Sequence, residues 1–423
     1  MSQMLVFRTG GIGVEYNAMI ENTLVTNEEK RVVFYANGGG PTNPATVTPE
    51  TPLSDLNLNW RERDLPERER TKHVHRLHPY LGKFIPQLVE IFLRKYFLPG
   101  QTVIDPFAGS GTMLVQASEL GINSVGCDIS EFNVLLIQAK TKRYDLEKVE
   151  HEILDIFERS LKPQAETKQM SLWERGFPSY ACSYLEKWFS PQALEELLAY
   201  RDLISNYENQ EILKIILSRS ARSARLTTHF DLDFPKAPQT EPYWCYKHSR
   251  TCVPTTTASK FLKRYSIDTI RRLEEYARCR RGSEMTILHD DSRYVQFPLA
   301  DGIITSPPYV GLIDYHEQHR YAYELLGLED RRTFEIGAAE NGSSQKAQMQ
   351  YQEAIAAVFQ NVLKSIKPDG YLIVVAGDKY NLYGNIAVKC GVKVEAILNR
   401  HVNRRTGRRA GEFFESVFVW KKP

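Results

Sequence analysis

The 423-residue chain predicts an α/β protein with a doubly wound, Rossmann-like sheet interrupted by a mostly helical insert. Three observations carry this. An apolar strand runs into a glycine turn, a helix and a second strand ending in an acid, which is a βαβ unit. The parallel-sheet pattern stops after about residue 143 and resumes near Met285, where another apolar strand ends in Thr305-Ser306-Pro307-Pro308-Tyr309. The last thirty or so residues alternate as two strands around an Arg-rich loop.

Taken in order, residues 1–70 read as an N-terminal extension. Short β-like runs, Met4 to Arg8 and Arg31 to Tyr35, precede a Gly/Pro/Thr-rich linker from Asn37 to Pro52, and the charged run Arg61 to Arg70 reads as a solvated face. Residues 71–144 form the first half of the sheet domain. A helix-period stretch, Phe84 to Phe97, leads through Pro99-Gly100 into a strand at Thr102 to Ile104. A helix from Thr112 to Leu120 follows, then Gly121 and a strand from Ser124 to Cys127 ending at Asp128. Residues 145–284 form the insert. Residues 285–423 resume the sheet with strands Thr286 to Leu288 and Gly302 to Thr305. They continue with a helix from Lys346 to Ile366, the turn Lys367-Pro368-Asp369-Gly370, a strand Tyr371 to Ala376, and the hairpin of Val392 to Leu398 with Phe413 to Trp420.

Composition excludes several classes. A net charge of +2 makes no global case for a polyanion partner. The absence of a membrane-length apolar run or a signal-peptide pattern predicts a cytoplasmic protein with no membrane partner. Six scattered cysteines fit a reducing compartment. Cys245, His248 and Cys252 lie close together, but without a C-x2-C pair or a fourth ligand the reading favours ordinary packing, and no metal is expected.

Two loops carry chemistry. In Asp105-Pro106-Phe107-Ala108-Gly109-Ser110-Gly111-Thr112, glycines between a strand and a helix let the backbone approach a ligand, and the helix N-terminus offers free N–H groups. Leu114 stands where a dinucleotide fingerprint requires a small residue, and Asp128 is placed to accept hydrogen bonds from ribose hydroxyls. In Ser306 to Tyr309, two prolines fix φ and remove two N–H donors, so the loop carbonyls can act as acceptors. The Ser306 hydroxyl and the Pro307 carbonyl can take hydrogen bonds from both hydrogens of an amine and aim its lone pair, with Pro308 stiffening the loop. Tyr309 offers a flat face for an extruded base.

These residues resemble motifs of the S-adenosylmethionine-dependent DNA amino-methyltransferases, the N4-cytosine and N6-adenine family. Asp105 to Thr112 is similar to motif I, Asp128 to motif II, Asp290-Asp291 to motif III, and Ser306 to Tyr309 to motif IV. His78 to Pro86 is similar to motif X. The resemblance implies a seven-stranded methyltransferase sheet with S-adenosylmethionine as cofactor. Asp105, Phe107, Gly109, Gly111 and Thr112 would lie along it, Asp128 on its ribose, Asp291 near its adenine, and Phe84 enclosing it. Motif X also reads as a plain helix entry with Pro86 in the first turn. Serine in the first position of motif IV is typical of N4-cytosine enzymes, so the expected reaction is N4 methylation of a cytosine flipped from duplex DNA. A cognate restriction endonuclease acting on the same site is the expected partner. N6-adenine methylation, RNA amino-methylation and a non-catalytic DNA-binding subunit are the alternatives. C5 methylation is set aside because no cysteine follows a proline.

DNA contacts are expected where basic charge is concentrated. Glu211 to Met285 holds 15 Lys/Arg against 8 Asp/Glu. Within it Arg219, Arg222 and Arg225 lie three apart on a predicted helix and can reach DNA or pair with carboxylates. Arg404, Arg405 and Arg408 in the C-terminal hairpin loop suit phosphate contact. Asp314, Tyr315, His319 and Arg320, after the second loop, can either wall a base pocket or face solvent from a packed helix. In the usual motif order the recognition region follows motif III, whereas this insert precedes it.

Overall fold

A computed structural model describes residues 33–34, 40–162, 171–232, 235–402 and 413–423, all within the unit Val32–Pro423. Its strands in chain order are β1 (Val33–Phe34), β2 (Thr102–Asp105), β3 (Asn123–Asp128), β4 (Tyr243–Cys245), β5 (Arg250–Cys252), β6 (Met285–His289), β7 (Ala300–Thr305), β8 (Ile366–Ala376), β9 (Lys393–Val402) and β10 (Phe413–Lys421). The main sheet runs β1-β9-β10-β8-β7-β2-β3-β6. Seven of these strands are the expected sheet. The two-residue β1, from the run noted at Arg31 to Tyr35, adds an eighth by pairing parallel with β9. β10 is antiparallel to both neighbours, which makes the sheet mixed.

Alternation along the strands sorts side chains onto two faces. Val103, Ile373, Val375, Val417 and Val419 face helices Pro86–Tyr96 and Thr112–Leu120. Their neighbours Ile104, Leu372, Val374, Phe418 and Trp420 face helices Gln345–Leu363 and Tyr383–Cys390. The chain leaves β2 towards β3 and β6, then returns to the other side of β2 for β7. That reversal opens a crevice at the C-terminal ends of β2 and β7, which is where open α/β sheets bind ligands.

Element boundaries agree with the sequence reading to within a few residues, with two differences. Strand β8 begins at Ile366, and the predicted turn Lys367 to Gly370 is an irregularity inside it. Asp369 there takes φ +63°, and the pairing slips between Ala300 and Gly302 of β7. The insert carries five long helices among its described residues, Leu146–Ser160, Ser179–Trp188, Pro191–Leu203, Gln210–Ala224 and Ser259–Cys279. It also carries an unpredicted hairpin, β4–β5. Its core is continuous with helix Glu131–Thr141 through Phe132 and Leu136, and with helix Arg320–Leu326 through Tyr321 and Leu325. Among the described residues no helix is long and apolar enough to cross a membrane.

Candidate active site

The two chemistry-bearing loops are joined at their roots. Thr305, the last residue of β7, donates its hydroxyl hydrogen to Asp105 Oδ1 at 2.6 Å, and the Phe107 N–H bonds the same oxygen at 3.1 Å. Ser292 adds a bond to the Pro106 carbonyl at 2.7 Å. Segments nearly two hundred residues apart therefore form one floor beneath a shared cleft. Phe84, Phe107, Gly109, Thr112 and Asp128 line it from the first half, and Asp291, Ser306 and Pro308 from the second.

Asp105 lies below the cleft wall and is fully buried. Its Oδ2 has no hydrogen-bond partner among the described residues. Burial pushes its carboxyl up from 3.8 to about 7, against the bonds from Thr305 and Phe107, and nearby Asp128 pushes it the same way. The folded chain thus holds this proton more tightly than the unfolded chain. The resulting stability is complete below about pH 4 and is lost as the pH rises through about 7. We expect the Tm of the cofactor-free chain to fall across that window and Asp105→Asn to flatten the fall. An equally steep fall in the variant would assign the dependence to other groups.

Gly109 and Gly111 serve different ends. Gly109 takes φ +50° and passes so close to Tyr80 that a Cβ would lie 3.3 Å from its hydroxyl. Its N–H bonds Asp128 Oδ2 at 2.7 Å. Gly111, at φ +73°, faces Ile137, where a Cβ would meet Cγ1 at 2.9 Å. Close packing of helix Glu131–Thr141 requires this glycine, and Gly111 is not among the residues that line the cleft. The fully buried Lys140, from the same helix, donates to the Ser110 carbonyl at 2.5 Å.

Asp128 is anchored before any ligand arrives. Its Oδ1 accepts from the Ser130 N–H at 2.9 Å and from Asn133 Nδ2 at 3.0 Å. Asn133 also donates to the Tyr80 hydroxyl at 3.1 Å, and Tyr80 stacks on Tyr315 with ring centroids 5.7 Å apart. Tyr80, Asn133 and Tyr315 all line the cleft. Tyr80 and Asn133 were not singled out from the sequence. Tyr80 carried a signal, lying in the motif X-like stretch, whereas Asn133 had none. The polar segment after Tyr309 divides: Tyr315 reaches the cleft, Asp314 caps the helix Tyr315–Gln318, Arg320 pairs with Glu324, and His319 is buried against Phe132.

Of the acidic pair, Asp291 gives both oxygens to Arg293, with contacts from 2.5 to 3.0 Å. Asp290 also lines the cleft and is exposed, with one oxygen accepting from the Asp291 N–H at 2.7 Å.

In the second loop the Ser306 hydroxyl is buried and has no hydrogen-bond partner among the described residues. The Pro308 carbonyl accepts from Tyr351 at 2.7 Å, and Tyr351 in turn contacts the Tyr383 hydroxyl at 2.8 Å. Among the described residues nothing bonds the Pro307 carbonyl. Tyr309 is half-buried beside the cleft, outside the residues that line it. Its hydroxyl donates to Glu415 at 2.8 Å, and its ring sits 6.1 Å from that of Phe413. Glu415 pairs across the β9–β10 ladder with Arg400 at 3.2 Å, both nearly buried. Nothing in the sequence linked Glu415 or Arg400 to the loop, because β10 reaches it only through sheet order.

The basic helix turns inward. Arg219 is 8% exposed and bonds Asp268 at 2.8 Å over the ring of Tyr265. Arg225 is 3% exposed, donates to the Leu232 carbonyl at 2.5 Å and stacks over Tyr321. Both are thereby corrected from DNA contacts to internal partners. Arg222 is half-buried and also engaged within the chain. Arg404, Arg405 and Arg408 lie outside the described residues.

Comparison with known proteins agrees with this geometry. The family model described as DNA methylase matches residues 16–176. The Type II methyltransferase M.MjaII of Methanocaldococcus jannaschii is 38% identical over 84% of this chain and 82% of its own length. The chain belongs to the N6/N4 amino-methyltransferase family. Two further relatives share less with this methyltransferase: M.BsoBI of Geobacillus stearothermophilus is 23% identical over 65% of the chain, and M.MvaI of Kocuria varians 26% over 56%. The chain spans 57% and 53% of their lengths. The methyl donor of this methyltransferase is S-adenosylmethionine.

Proposed function

We propose that the protein methylates the exocyclic N4 of cytosine in duplex DNA, as the modification enzyme of a restriction–modification pair. The observation that carries this reading is the buried Ser306 hydroxyl, without a hydrogen-bond partner among the described residues, on the cleft shared with the glycine loop and next in the chain to a Pro307 carbonyl that nothing there bonds. The residues present fit the cofactor. Asp105 Oδ2 is an orphaned acceptor suited to an ammonium group, Gly109 leaves a bare backbone, and Asp128 keeps acceptor capacity for a ribose hydroxyl. Phe84, Phe107 and Thr112 wall the same space, and Asp290, less engaged than Asp291, is the carboxylate we assign to the adenine amine.

The bound cofactor supplies an electrophilic sulfonium methyl. The chain supplies positioning. The amine of a nucleobase is a weak nucleophile because its lone pair is delocalised into the ring. Ser306 Oγ and the Pro307 carbonyl accept hydrogen bonds from its two N–H groups, which favours a pyramidal nitrogen with its lone pair directed into the cleft. The surplus proton of the methylated amine passes to water. Tyr309, held by Glu415, presents a fixed ring for the flipped base. Residues 71–144 and 285–423 form the catalytic domain. Residues 145–284 read the target, with exposed Lys236, Lys247, Arg250 and Lys263 as their phosphate contacts.

Incubation with labelled S-adenosylmethionine and mixed-sequence DNA, followed by mass spectrometry of the nucleosides, tests the base assignment. N4-methylcytosine is the expected product. N6-methyladenine, or label in structured RNA alone, would overturn it.

A further inference from the structure

The loop between helices Gln210–Ala224 and Ser259–Cys279 is long, and its regular structure among the described residues is the three-residue strands β4 and β5. A hairpin that short is not stable by itself in water. Its large side chains do not supply a core: Phe230, Trp244, Tyr246 and Val253 are 55%, 56%, 80% and 69% exposed. Something other than apolar burial holds it.

Pairing of Tyr243 with Cys252 and of Cys245 with Arg250 places Cys245 and Cys252 on one face of the hairpin. The turn brings His248 to that face. Its N–H bonds the Cys245 carbonyl at 3.1 Å, and Ser249 beside it takes φ +51°. His229 arrives from the loop before β4, with its N–H on the Tyr243 hydroxyl at 3.0 Å. The ligand atoms of these four residues all lie within 4.8 Å of one another. Cys245 Sγ is 3.5 Å from both His229 Nδ1 and His248 Nδ1, and Cys252 Sγ is 3.5 Å from His248 Nδ1.

Hydrogen bonding does not account for these contacts. An imidazole Nδ1 carries either one lone pair or one proton, enough for one straight bond, yet His248 Nδ1 faces two sulfurs. His229 Nδ1 likewise faces both Cys245 Sγ and the Tyr243 hydroxyl at 3.0 Å. Tetrahedral zinc, with Zn–S of about 2.3 Å and Zn–N of about 2.0 Å, sets its sulfur and nitrogen ligands about 3.5 Å apart. We infer that His229, Cys245, His248 and Cys252 form a structural zinc site. Two thiolates balance the charge of the ion, and four protein ligands leave no open position for catalysis. None of the four lines the methyl-transfer cleft. The missing fourth ligand that counted against a metal in the sequence is His229, sixteen residues before Cys245.

Zinc would tie the hairpin, with exposed Trp244 on its other face and exposed Tyr246 and Lys247 in its turn, to the end of the insert helix that precedes it. The inference holds whichever base is methylated. The full chain, purified without a histidine tag under reducing conditions and supplied with equimolar zinc, should retain one zinc per chain by elemental mass spectrometry. After chelator treatment, cobalt should restore the visible d–d absorption of a tetrahedral thiolate site. Cys252→Ser and His229→Ala should each lower zinc affinity at least tenfold while cofactor binding persists, and Cys182→Ser should leave zinc bound. A wild-type chain that retains no zinc and gives no such cobalt spectrum would overturn the site, as would zinc equally well held by Cys252→Ser and His229→Ala. The wild-type cobalt spectrum decides the matter even where a variant fails to fold.

Discussion

Ser306→Ala is expected to lower the rate of methyl transfer by roughly 10²- to 10³-fold, the usual effect of removing one preorganised hydrogen-bonding group from an active site. Cofactor binding should change little. The hydroxyl is buried without a hydrogen-bond partner among the described residues, so its removal breaks no hydrogen bond there. The neighbouring Thr305 retains the 2.6 Å bond to Asp105 that ties the two loops together. Single-turnover rates with saturating cofactor, beside calorimetric binding of S-adenosylmethionine, separate the two effects. A variant that turns over normally but binds cofactor poorly would move Ser306 from the acceptor amine to the cofactor. Tyr309→Ala should also abolish transfer, with the added cost of leaving Glu415 and Arg400 without the tyrosine.

Asp128→Ala has the second large effect, on binding. The carboxylate holds the Gly109 N–H, the Ser130 N–H and the Asn133 amide at 2.7 to 3.0 Å. Its loss releases the glycine loop and leaves three donors unsatisfied, and hydrogen bonds to charged groups contribute about 1.5–3 kcal/mol each. We expect S-adenosylmethionine to bind roughly 100-fold more weakly, about 2.7 kcal/mol, with a lowered Tm. Titration calorimetry and thermal melts read both. Unchanged affinity would show that the loop keeps its shape without the carboxylate.

The sheet was legible in the sequence because its strands carry local signals. Each core strand is a short apolar run bounded by a turn, and helix Thr112–Leu120 lies between two glycines with positive φ. The two loops were legible for the same reason, since glycine and paired prolines constrain the backbone whatever surrounds them. The roles of Arg219 and Arg225 were not. Three-residue spacing says that two arginines share a face, and only the packing of helix Ser259–Cys279 and Tyr321 shows that the face is internal. The packing of Gly111 on Ile137 was not legible either, because a required glycine reads alike whether a ligand or a side chain occupies the space.

The sequence by itself determined the order of elements, the glycine loop, the acid at the end of β3 and the serine–proline–proline–tyrosine loop, because these depend on neighbours along the chain. The tertiary structure decided what depends on distant partners. It joined Asp105 to Thr305, set Glu415 behind Tyr309, turned the arginine helix inward and brought His229 to Cys245, His248 and Cys252. Those contacts arise from strand order and helix packing, which act through space and leave no mark on local residue pattern.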